Sequence, residues 1–457
     1  MKDKLVMLVF CGGLFGVSHS INAQSLLDVY QKAKLQDSQF GAARRSLEAA
    51  LEKIPQARAG FLPNANIVGN KNRQAGEASF SGAAFIARDV SAWSWTAQIT
   101  QPLIRWSNWA AYDQADAQVM QAKEQFALAE QDLVVRSAQA YFDVQVAMQS
   151  VQVAHAQLQA VNEQLALAQR TYQVGTGTVT DVHEAKAKQA LSLAQHVTAL
   201  NDLTSKQAEL EKLTGEYMAL PSTRLIKSLP SLPPSQLNDW LTTASLQNPQ
   251  IRIQQAALTV AQKEVSKSMA AHTPTLDLVF SRSGNYSSGS INSPADISTR
   301  VNSHQTGLQL TVPLFAGGAT QSKVRESVAL EEKAREELTG AQRNASSQVR
   351  QTFSGVINGQ AQVEALEAAV EASQNAVESN KIGFKVGTRI NPDVLNAEQQ
   401  LYAAMRDLNK ARADAVMQSL KLKATISSLS SDDLAALEKL MQPAPTSLAR
   451  TEALASR

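Results

Sequence analysis

The spacing of hydrophobic residues switches between a strand-like and a helix-like period along the chain. Trp93, Trp95, Ala97 and Ile99 alternate with polar side chains, which is the two-residue period of a strand with one apolar face. From residue 107 to residue 171 the chain has neither glycine nor proline and is rich in alanine, glutamine, leucine and glutamate, which favour helix. One helix over this run would be roughly 98 Å long. No globular core covers such a length, so the pattern indicates coiled-coil packing.

The same order of elements returns in the second half. A helical pattern at 26–59 ends before Pro63, because proline is excluded from helix interiors, and a second helical pattern ends near 271. Strands are predicted at 64–73, 275–280 and 305–312, with polar loops at 74–90 and 281–303. A second long helix is predicted from 319 to 382, interrupted at Gly340, Gly355 and Gly359. Its heptad seam consists of Val363, Leu366, Val370, Ser373 and Val377.

Short motifs show that these halves are two copies of one plan. Val174-Gly-Thr176 and Asp181 return 212 positions later as Val386-Gly-Thr388 and Asp393. The stretch 33–39 matches 244–250 at an offset of 211, as do Pro63 with Pro274 and Pro102 with Pro313. A period of this kind indicates an internal structural repeat. We place the first repeat at 24–220, a proline-rich connector at 221–235, the second repeat at 236–428 and a polar tail at 429–457.

The N-terminus carries an export signal. Lysines precede the apolar run 5–17, and a small-residue cleavage site follows, which indicates a secretory signal peptide at 1–23. The single cysteine, Cys11, lies inside it, so the mature chain has no thiol chemistry. Acylation of Cys11 is a less favoured alternative, because bulky Phe10 precedes it. No later apolar segment reaches the ~20 residues of a spanning helix, so membrane residence would depend on β-strands.

Composition and motifs exclude several other functions. The net charge of +2 arises from 43 basic and 41 acidic residues, which provides no field for nucleic acid. The motifs of a P-loop, a serine hydrolase and a dinucleotide fold are absent. The histidines lack metal-ligand spacing; they are His19, His155, His183, His196, His272 and His304. The sequence therefore predicts no enzyme, no cofactor and no metal site.

Four strands per chain do not close a barrel, yet strands in lipid need closure. If these strands span a membrane, several chains share one barrel and their helices form a tube on one side. Four of the five tryptophans fit an aromatic belt at the membrane interface, with burial at a helix–strand junction as the alternative; they are Trp93, Trp95, Trp106 and Trp109. Asp181 and Asp393 near the turns are either simple helix caps or, around a symmetry axis, rings that favour cations.

The two-copy plan, the paired Val-Gly-Thr turns and the stretch Thr273-Pro-Thr-Leu-Asp-Leu278 resemble the TolC family of outer-membrane channel-tunnels. This resemblance implies a mostly α fold with a transmembrane β part: a homotrimer sharing a 12-stranded barrel in outer-membrane lipid of a Gram-negative bacterium, and a coiled-coil α-barrel in the periplasm. It also implies a periplasmic adaptor protein and an inner-membrane pump, either an ABC exporter or a proton-driven pump.

Individual residues carry the resemblance to the entrance of such a channel. Arg389 matches a gating arginine, Thr180 and Asp181 match its partners, and Asp393 matches the upper of two ring aspartates. Three positions depart from the family, since Asn396 replaces the second aspartate, Phe384 replaces a tyrosine that would bond Asp181, and Lys381 replaces a glutamate expected to pair with Gln164. Pro392 after Asn391 is predicted to form a helix start with Asn391 as its cap.

We therefore expect a passive exit duct of a tripartite export system. Type I protein secretion is slightly favoured over small-molecule efflux. The alternative from another class is a periplasmic or surface coiled-coil structural protein whose strands form a small soluble sheet.

Overall fold

A computed structural model describes residues 25–221, 223–224 and 236–443. The predicted signal peptide and most of the predicted connector lie outside the described residues, as do residues 444–457. Within the described ranges, no helix combines the length and apolar character needed to cross a membrane.

One antiparallel sheet contains four strands in the order β1-β2-β4-β5. The strands are β1 Asn64–Ala78, β2 Ile86–Ile104, β4 Thr275–Ser287 and β5 Thr299–Thr311; short β3 Thr223–Arg224 pairs with β6 Gln442–Pro443. The predicted loops at 74–90 and 281–303 were wrong, because most of their residues belong to strands. Those residues do not alternate between apolar and polar side chains. Backbone pairing between the strands nevertheless continues both hairpins past the alternating stretches.

Ten helices complete the described part of the chain. They are α1 Leu26–Gln36, α2 Ser38–Leu51, α3 Lys53–Ala59, α4 Trp106–Gln173, α5 Val179–Thr214, α6 Leu237–Gln247, α7 Pro249–Ala270, α8 Ala319–Lys385, α9 Asn391–Thr425 and α10 Ser431–Leu440. Their starts reproduce the sequence repeat, since α6, α7 and β4 begin 211 positions after α1, α2 and β1. The expected two-copy, mostly helical fold is confirmed.

Equivalent helix caps show how the two copies diverged. Asp37 accepts the backbone N–H of Phe40 at 3.0 Å and the guanidinium of Arg136 at 2.7 Å. Its equivalent, Asn248, caps α7 but donates its amide to the carbonyl of Thr425 at 2.8 Å. Burial alone would raise the pKa of Asp37, but the bonds from Arg136 and Phe40 outweigh burial and lower it. The residue type of each cap therefore matches the group that it faces: the carboxylate of Asp37 faces a guanidinium, and the amide of Asn248 faces a carbonyl.

The predicted interruptions in the second long helix were wrong, because α8 is continuous over all three glycines. A Cβ at Gly355 would lie 3.1 Å from the side chain of Gln418, and one at Gly359 would lie 3.3 Å from Ala415. These two glycines therefore let α9 approach α8 closely. The predicted heptad seam is confirmed: Val363, Leu366 and Val370 pack against α9, and Ser373 and Val377 are also buried.

The largest core lies midway along α4, where the C-terminal parts of α5 and α9 meet the short helices α1, α2 and α10. Its most buried members include Leu26, Phe40, Leu133, Tyr141, Phe142, Leu210, Leu420 and Leu434. The prediction of a polar tail after 428 was wrong over α10, where Leu434 and Leu437 are buried and Asp433 accepts Lys423 at 2.7 Å. The sequence does carry a signal there, since Leu434 and Leu437 are three positions apart and follow a capping box of Ser430 and Asp433, and the prediction of a polar tail overlooked it.

An unfavourable charge lies on α9 at Asp414. Burial raises the pKa of this carboxyl and nearby Asp143 raises it further, while Lys410 opposes both. The ionised form of Asp414 therefore weakens the packing of α9 at neutral pH.

Candidate channel entrance and sheet surface

The two helical turns lie side by side at the end of the long helices farthest from the sheet. Leu395 in the first turns of α9 packs with Val161 and Leu165 of α4 and with Ala185 of α5. Lys188 Nζ on α5 donates to Gln399 Oε1 on α9 at 2.7 Å. The residues predicted to form the entrance are thereby brought to one tip.

The Val-Gly-Thr motif builds the same turn in both copies. Gly175 and Gly387 both adopt φ 79°, a left-handed conformation that favours glycine. The following N–H groups close each helix, with Thr176 donating to the carbonyl of Thr171 at 2.9 Å and Thr388 to that of Gly383 at 2.9 Å. The sequence repeat at the tip therefore reflects a shared helix-ending geometry.

Asp181 acts as a helix cap within its own turn. Its Oδ2 accepts the N–H of Thr178 at 3.1 Å and the hydroxyl of Thr178 at 2.7 Å, while the N–H of Asp181 donates back to Thr178 Oγ1. This reciprocal box satisfies the first N–H groups of α5. Thr180 beside it is exposed.

Arg389 lies nearest to the other predicted entrance acid. Its Nη1 is 3.8 Å from Asp393 Oδ2, and the two side chains are 59% and 37% exposed, so the pair is a weak surface interaction. Among the described residues, no hydrogen bond or ion pair joins Arg389 to Thr180 or Asp181. Asn396, one turn beyond Asp393, is exposed, and Phe384 is half-buried.

Lys381 pairs with a carboxylate on the neighbouring helix rather than with Gln164. Its Nζ is 2.7 Å from Glu398 Oε1, and the Glu398 side chain is only 2% exposed. No hydrogen bond of normal geometry reaches either carboxylate oxygen, so charge attraction dominates the contact. The buried Oε1 of Gln164 has no hydrogen-bond partner within the described chain. Lys381 thus joins α8 to α9 close to the entrance.

A second ion pair sits two heptads away in the same helix pair. Arg412 Nη2 on α9 donates to Glu367 Oε1 on α8 at 2.5 Å. Each of these residues is 14 positions from its counterpart in the Lys381–Glu398 pair, with the charges exchanged between the helices. Opposite polarity at heptad-related positions favours one register of α8 against α9.

Sequence reasoning missed Glu398 as an entrance residue. The spacing of the two residues could have indicated the pair, because Lys381 and Glu398 lie at nearly equal distances on either side of the turn centred near residue 389. Burial also raises the pKa of the neighbouring Tyr402 phenol, and the charge of Glu398 raises it further.

The predicted cap at the start of α9 was wrong by one residue. Ile390 occupies the cap position and Asn391 is the first helical residue, followed by Pro392. The Asn391 side chain is 3% exposed, and neither its Oδ1 nor its Nδ2 has a hydrogen-bond partner in the described structure. Asn391 therefore points inward instead of capping the helix.

The four tryptophans do not share one strand end. Trp93 and Trp95 lie inside β2, eleven and nine residues before its last residue, whereas Trp106 and Trp109 lie on α4. Trp93 stacks on Tyr286 with ring centroids 6.1 Å apart, and Gly284 leaves room for the indole of Trp95. Trp106 and Trp109 are more than half exposed. The two pairs are separated because the strand extends well beyond Trp95, and their place at a membrane interface stays a prediction.

The two faces of the sheet differ in chemistry. Residues directly opposite one another share a face, so Trp95, Ala97 and Ile99 lie on the face that carries Phe280, Leu278 and Leu308. The other face is polar, with Asn66, Asn70, Thr96, Gln98, Ser281, Ser283, Ser303 and Gln305. A concavity of about 230 Å³ lies near the hairpin end of the sheet and is lined mostly by polar-face residues, together with Trp93 and Tyr286.

Two histidines approach each other between α4 and α5. The rings of His155 and His196 have centroids 5.5 Å apart, and Gln159 contacts His155 Nε2 at 3.0 Å. In the part of the chain that the structure describes, no group of three or more His, Cys, Asp or Glu side chains is arranged to hold a metal ion.

Comparisons with known proteins agree with this architecture. Residues 29–216 and 240–427 each match the family model described as outer membrane efflux protein, and these ranges coincide with the two repeats. The chain is 31% identical over 418 residues to the alkaline protease secretion protein AprF of Pseudomonas aeruginosa, covering 90% of this chain and 86% of AprF. It is 29% identical to the proteases secretion protein PrtF of Dickeya chrysanthemi, covering 97% and 96%.

Two further proteins have similar sequence or structure. The outer membrane protein TolC of Escherichia coli K12 is 28% identical, with 97% of this chain and 90% of TolC covered. The crystal structure of the CmeC outer membrane channel of Campylobacter jejuni superimposes with a TM-score of 0.77 at 15% identity, covering 92% and 91%. Fold, repeat and sequence similarity agree, and the chain belongs to the outer membrane efflux protein family.

Proposed function

We propose that this protein is the outer-membrane exit duct of a tripartite export system, a passive homotrimeric channel whose periplasmic tip is opened by an adaptor protein and an inner-membrane pump. The observation that carries the proposal is a four-stranded sheet with one apolar face and two unpaired edges, attached to helices about 100 Å long. Membership of an outer-membrane family supports this location.

The two edge strands require partners in a membrane. The residues of β1 and β5 are almost all exposed, so each edge presents unpaired N–H and C=O groups along 13 to 15 residues. Lipid cannot satisfy these groups. Pairing β5 of one copy with β1 of the next satisfies both edges, and three copies then give a closed cylinder of about twelve strands, which is within the range of outer-membrane barrels.

The sheet surface is consistent with this orientation. Its apolar face would contact lipid, and its polar face would line a water-filled lumen. Outward positions on β4 extend from Tyr286 to Leu276, which are ten positions apart, and this corresponds to roughly 33 Å along a strand. At a tilt of about 40° this corresponds to about 25 Å of height, the thickness of the apolar band of such barrels.

At the opposite end, the two turns of each copy would surround the entrance. Arg389 would hold this entrance closed by contacting Thr180 and Asp181, with Phe384, Gln164 and Lys381 in its support. Around the trimer axis Asp393 would form an acidic ring that favours cations, and neutral Asn396 would leave that ring single.

Two relatives suggest the cargo. AprF and PrtF are both described as secretion proteins for proteases, so we favour type I protein secretion over small-molecule efflux. The channel itself would perform no chemistry, and the pump would supply the energy.

Cross-linking between edge strands tests the shared barrel directly. Single cysteines are placed on β1 at Ala65, Ile67 or Gly69 and combined with cysteines on β5 at Thr306 or Leu308. Oxidation in isolated outer membranes should give covalent dimers and trimers for the pairs in register. A control pair on β2 and β5, which are separated by β4, should give none. Monomers throughout, or protein found in the soluble periplasmic fraction, would contradict the proposal and favour the structural-protein alternative.

A further inference from the structure

We propose that the apolar face of the sheet ends, at its hairpin side, in a binding surface for the phosphate groups of lipopolysaccharide. The surface is one row across the sheet, formed by Lys71, Trp93, Tyr286 and Arg300. The inference rests on the proposed function, because it requires this face to contact the outer membrane.

Strand register places these four side chains together. Lys71 on β1 is opposite Trp93 on β2, Trp93 is opposite Tyr286 on β4, and Tyr286 is opposite Arg300 on β5. Directly opposite residues point to the same face, so the row has two stacked aromatic rings in the centre and a cation at each end. Amphipathic rings of this kind position themselves at the headgroup level of a bilayer.

The charges in this row are not neutralised by the protein. Within the described residues neither Lys71 nor Arg300 has a carboxylate at ion-pair distance, whereas Arg73, the next outward residue on β1, is bound by both oxygens of Asp89. Arg282 is a third unpaired cation on this face, four residues nearer the helices on β4. Its long side chain can extend toward the headgroups. Unpaired cations next to an apolar surface are stable when an anionic group covers them.

The position of the row selects the outer leaflet. Beyond it lie residues 72–92 of the β1–β2 hairpin and residues 287–299 of the β4–β5 hairpin, while the long helices leave the opposite end of the sheet. With the helices in the periplasm, the row faces the external headgroup layer. Lys71 and Arg300 also lie on the two edge strands, so pairing of β5 with β1 places cations from two copies on either side of each subunit junction.

Charge-assisted contacts to phosphate explain the choice of ligand. Guanidinium and ammonium groups bind phosphate oxygens strongly, and the phosphates of lipid A lie at the boundary between acyl chains and sugars. One basic residue beside an anionic lipid surface strengthens binding by about fivefold. The two row cations together should therefore contribute about 25-fold to the affinity for lipopolysaccharide.

The test uses purified full-length protein in detergent and measures the binding of lipopolysaccharide to the wild type, Lys71→Gln, Arg300→Gln and the double variant. Lys323→Gln, at the start of α8, is the control for the loss of a lysine at the end of the sheet opposite to the row. We expect about fivefold weaker binding for each single variant, about 25-fold for the double variant and no change for the control. Dephosphorylated lipopolysaccharide should bind the wild type and the double variant equally.

Two results overturn the proposal. One is equal affinity of the wild type and the double variant for lipopolysaccharide. The other is an equal loss of binding to phosphatidylethanolamine vesicles containing phosphatidylglycerol, which would show general attraction to anionic lipid. Channel conductance in planar bilayers is measured for the same proteins. A wild type that does not conduct contradicts the proposed function, whereas normal conductance with unchanged lipopolysaccharide binding contradicts only the lipid surface.

Discussion

Removing Lys381 should loosen the entrance end of the α8–α9 pair. The Lys381→Met variant keeps the aliphatic stem but leaves the carboxylate of Glu398, 2% exposed, without its cation. At 2.7 Å the gross attraction is about 6 kcal/mol for an effective dielectric constant near 20. Breaking a buried pair from one side costs about 3–5 kcal/mol. Because Lys381 is 45% exposed, solvent screening reduces the expected cost to about 2–3 kcal/mol.

Hydrogen exchange of backbone amides measures this cost locally, because an opening that separates the helix ends exposes the amides of 376–385 and 394–402. The expected loss corresponds to a fall of about 30- to 150-fold in their protection factors. The double variant Lys381→Met with Glu398→Leu no longer contains the unpaired buried carboxylate, so it should regain most of the protection. Lys323→Met, which breaks an exposed pair with Glu326, should change protection by less than about threefold.

The result that would refute this reasoning is protection at the tip within about threefold of the wild type in Lys381→Met. Equal losses in the single and double variants would also refute it, since they would show that packing of the lysine stem, rather than the ion pair, holds the helices together.

Further predictions concern other sites. Asn248→Asp should destabilise the protein by about 2 kcal/mol in denaturant titrations, because the carboxylate would face the carbonyl of Thr425; unchanged stability would contradict the assigned bond. Asp414→Asn should raise the thermal midpoint at neutral pH, because a raised pKa in the folded state means that the ionised carboxyl costs stability. The gain should vanish as the pH falls through the folded-state pKa toward 3.8, and a gain that does not depend on pH would contradict this explanation. Arg389→Ser should increase single-channel conductance; an unchanged value in planar bilayers argues against its gating role. Asp393→Ala should shift the reversal potential in a salt gradient toward lower cation selectivity, and no shift would mean that this acid does not set selectivity.

The elements with a long or repeated signal could be predicted from the sequence. The run without glycine or proline at 107–171 predicted α4 to within two residues of each end. The Val-Gly-Thr turns were recognisable because only glycine readily adopts the φ of 79° found at Gly175 and Gly387. Elements without an apolar period were not predictable. The hairpin ends, for example, consist mostly of polar residues paired through their backbones.

In the candidate site, too, some features could be predicted from the sequence and others could not. Residue types and spacing were enough to place Arg389, Asp181 and Asp393 near two equivalent turns. The partner of Lys381 was not predictable, because Glu398 faces it only when α8 and α9 pack in one particular register. The difference between the caps Asp37 and Asn248 was unpredictable for the same reason, since these equivalent positions face Arg136 in one copy and a carbonyl in the other.

By itself the sequence determined the two-copy plan, the long helices, the glycine-dependent turns and the presence of strands with one apolar face. These depend on interactions between residues close in the chain, which leave a period or a motif in the sequence. The tertiary structure alone decided the strand lengths, the separation of the tryptophans, the docking of α10 and the ion pairs between helices. These depend on the packing and register of segments far apart in the chain, such as α1 and α10, and the residues of one segment carry no record of which residues they will face.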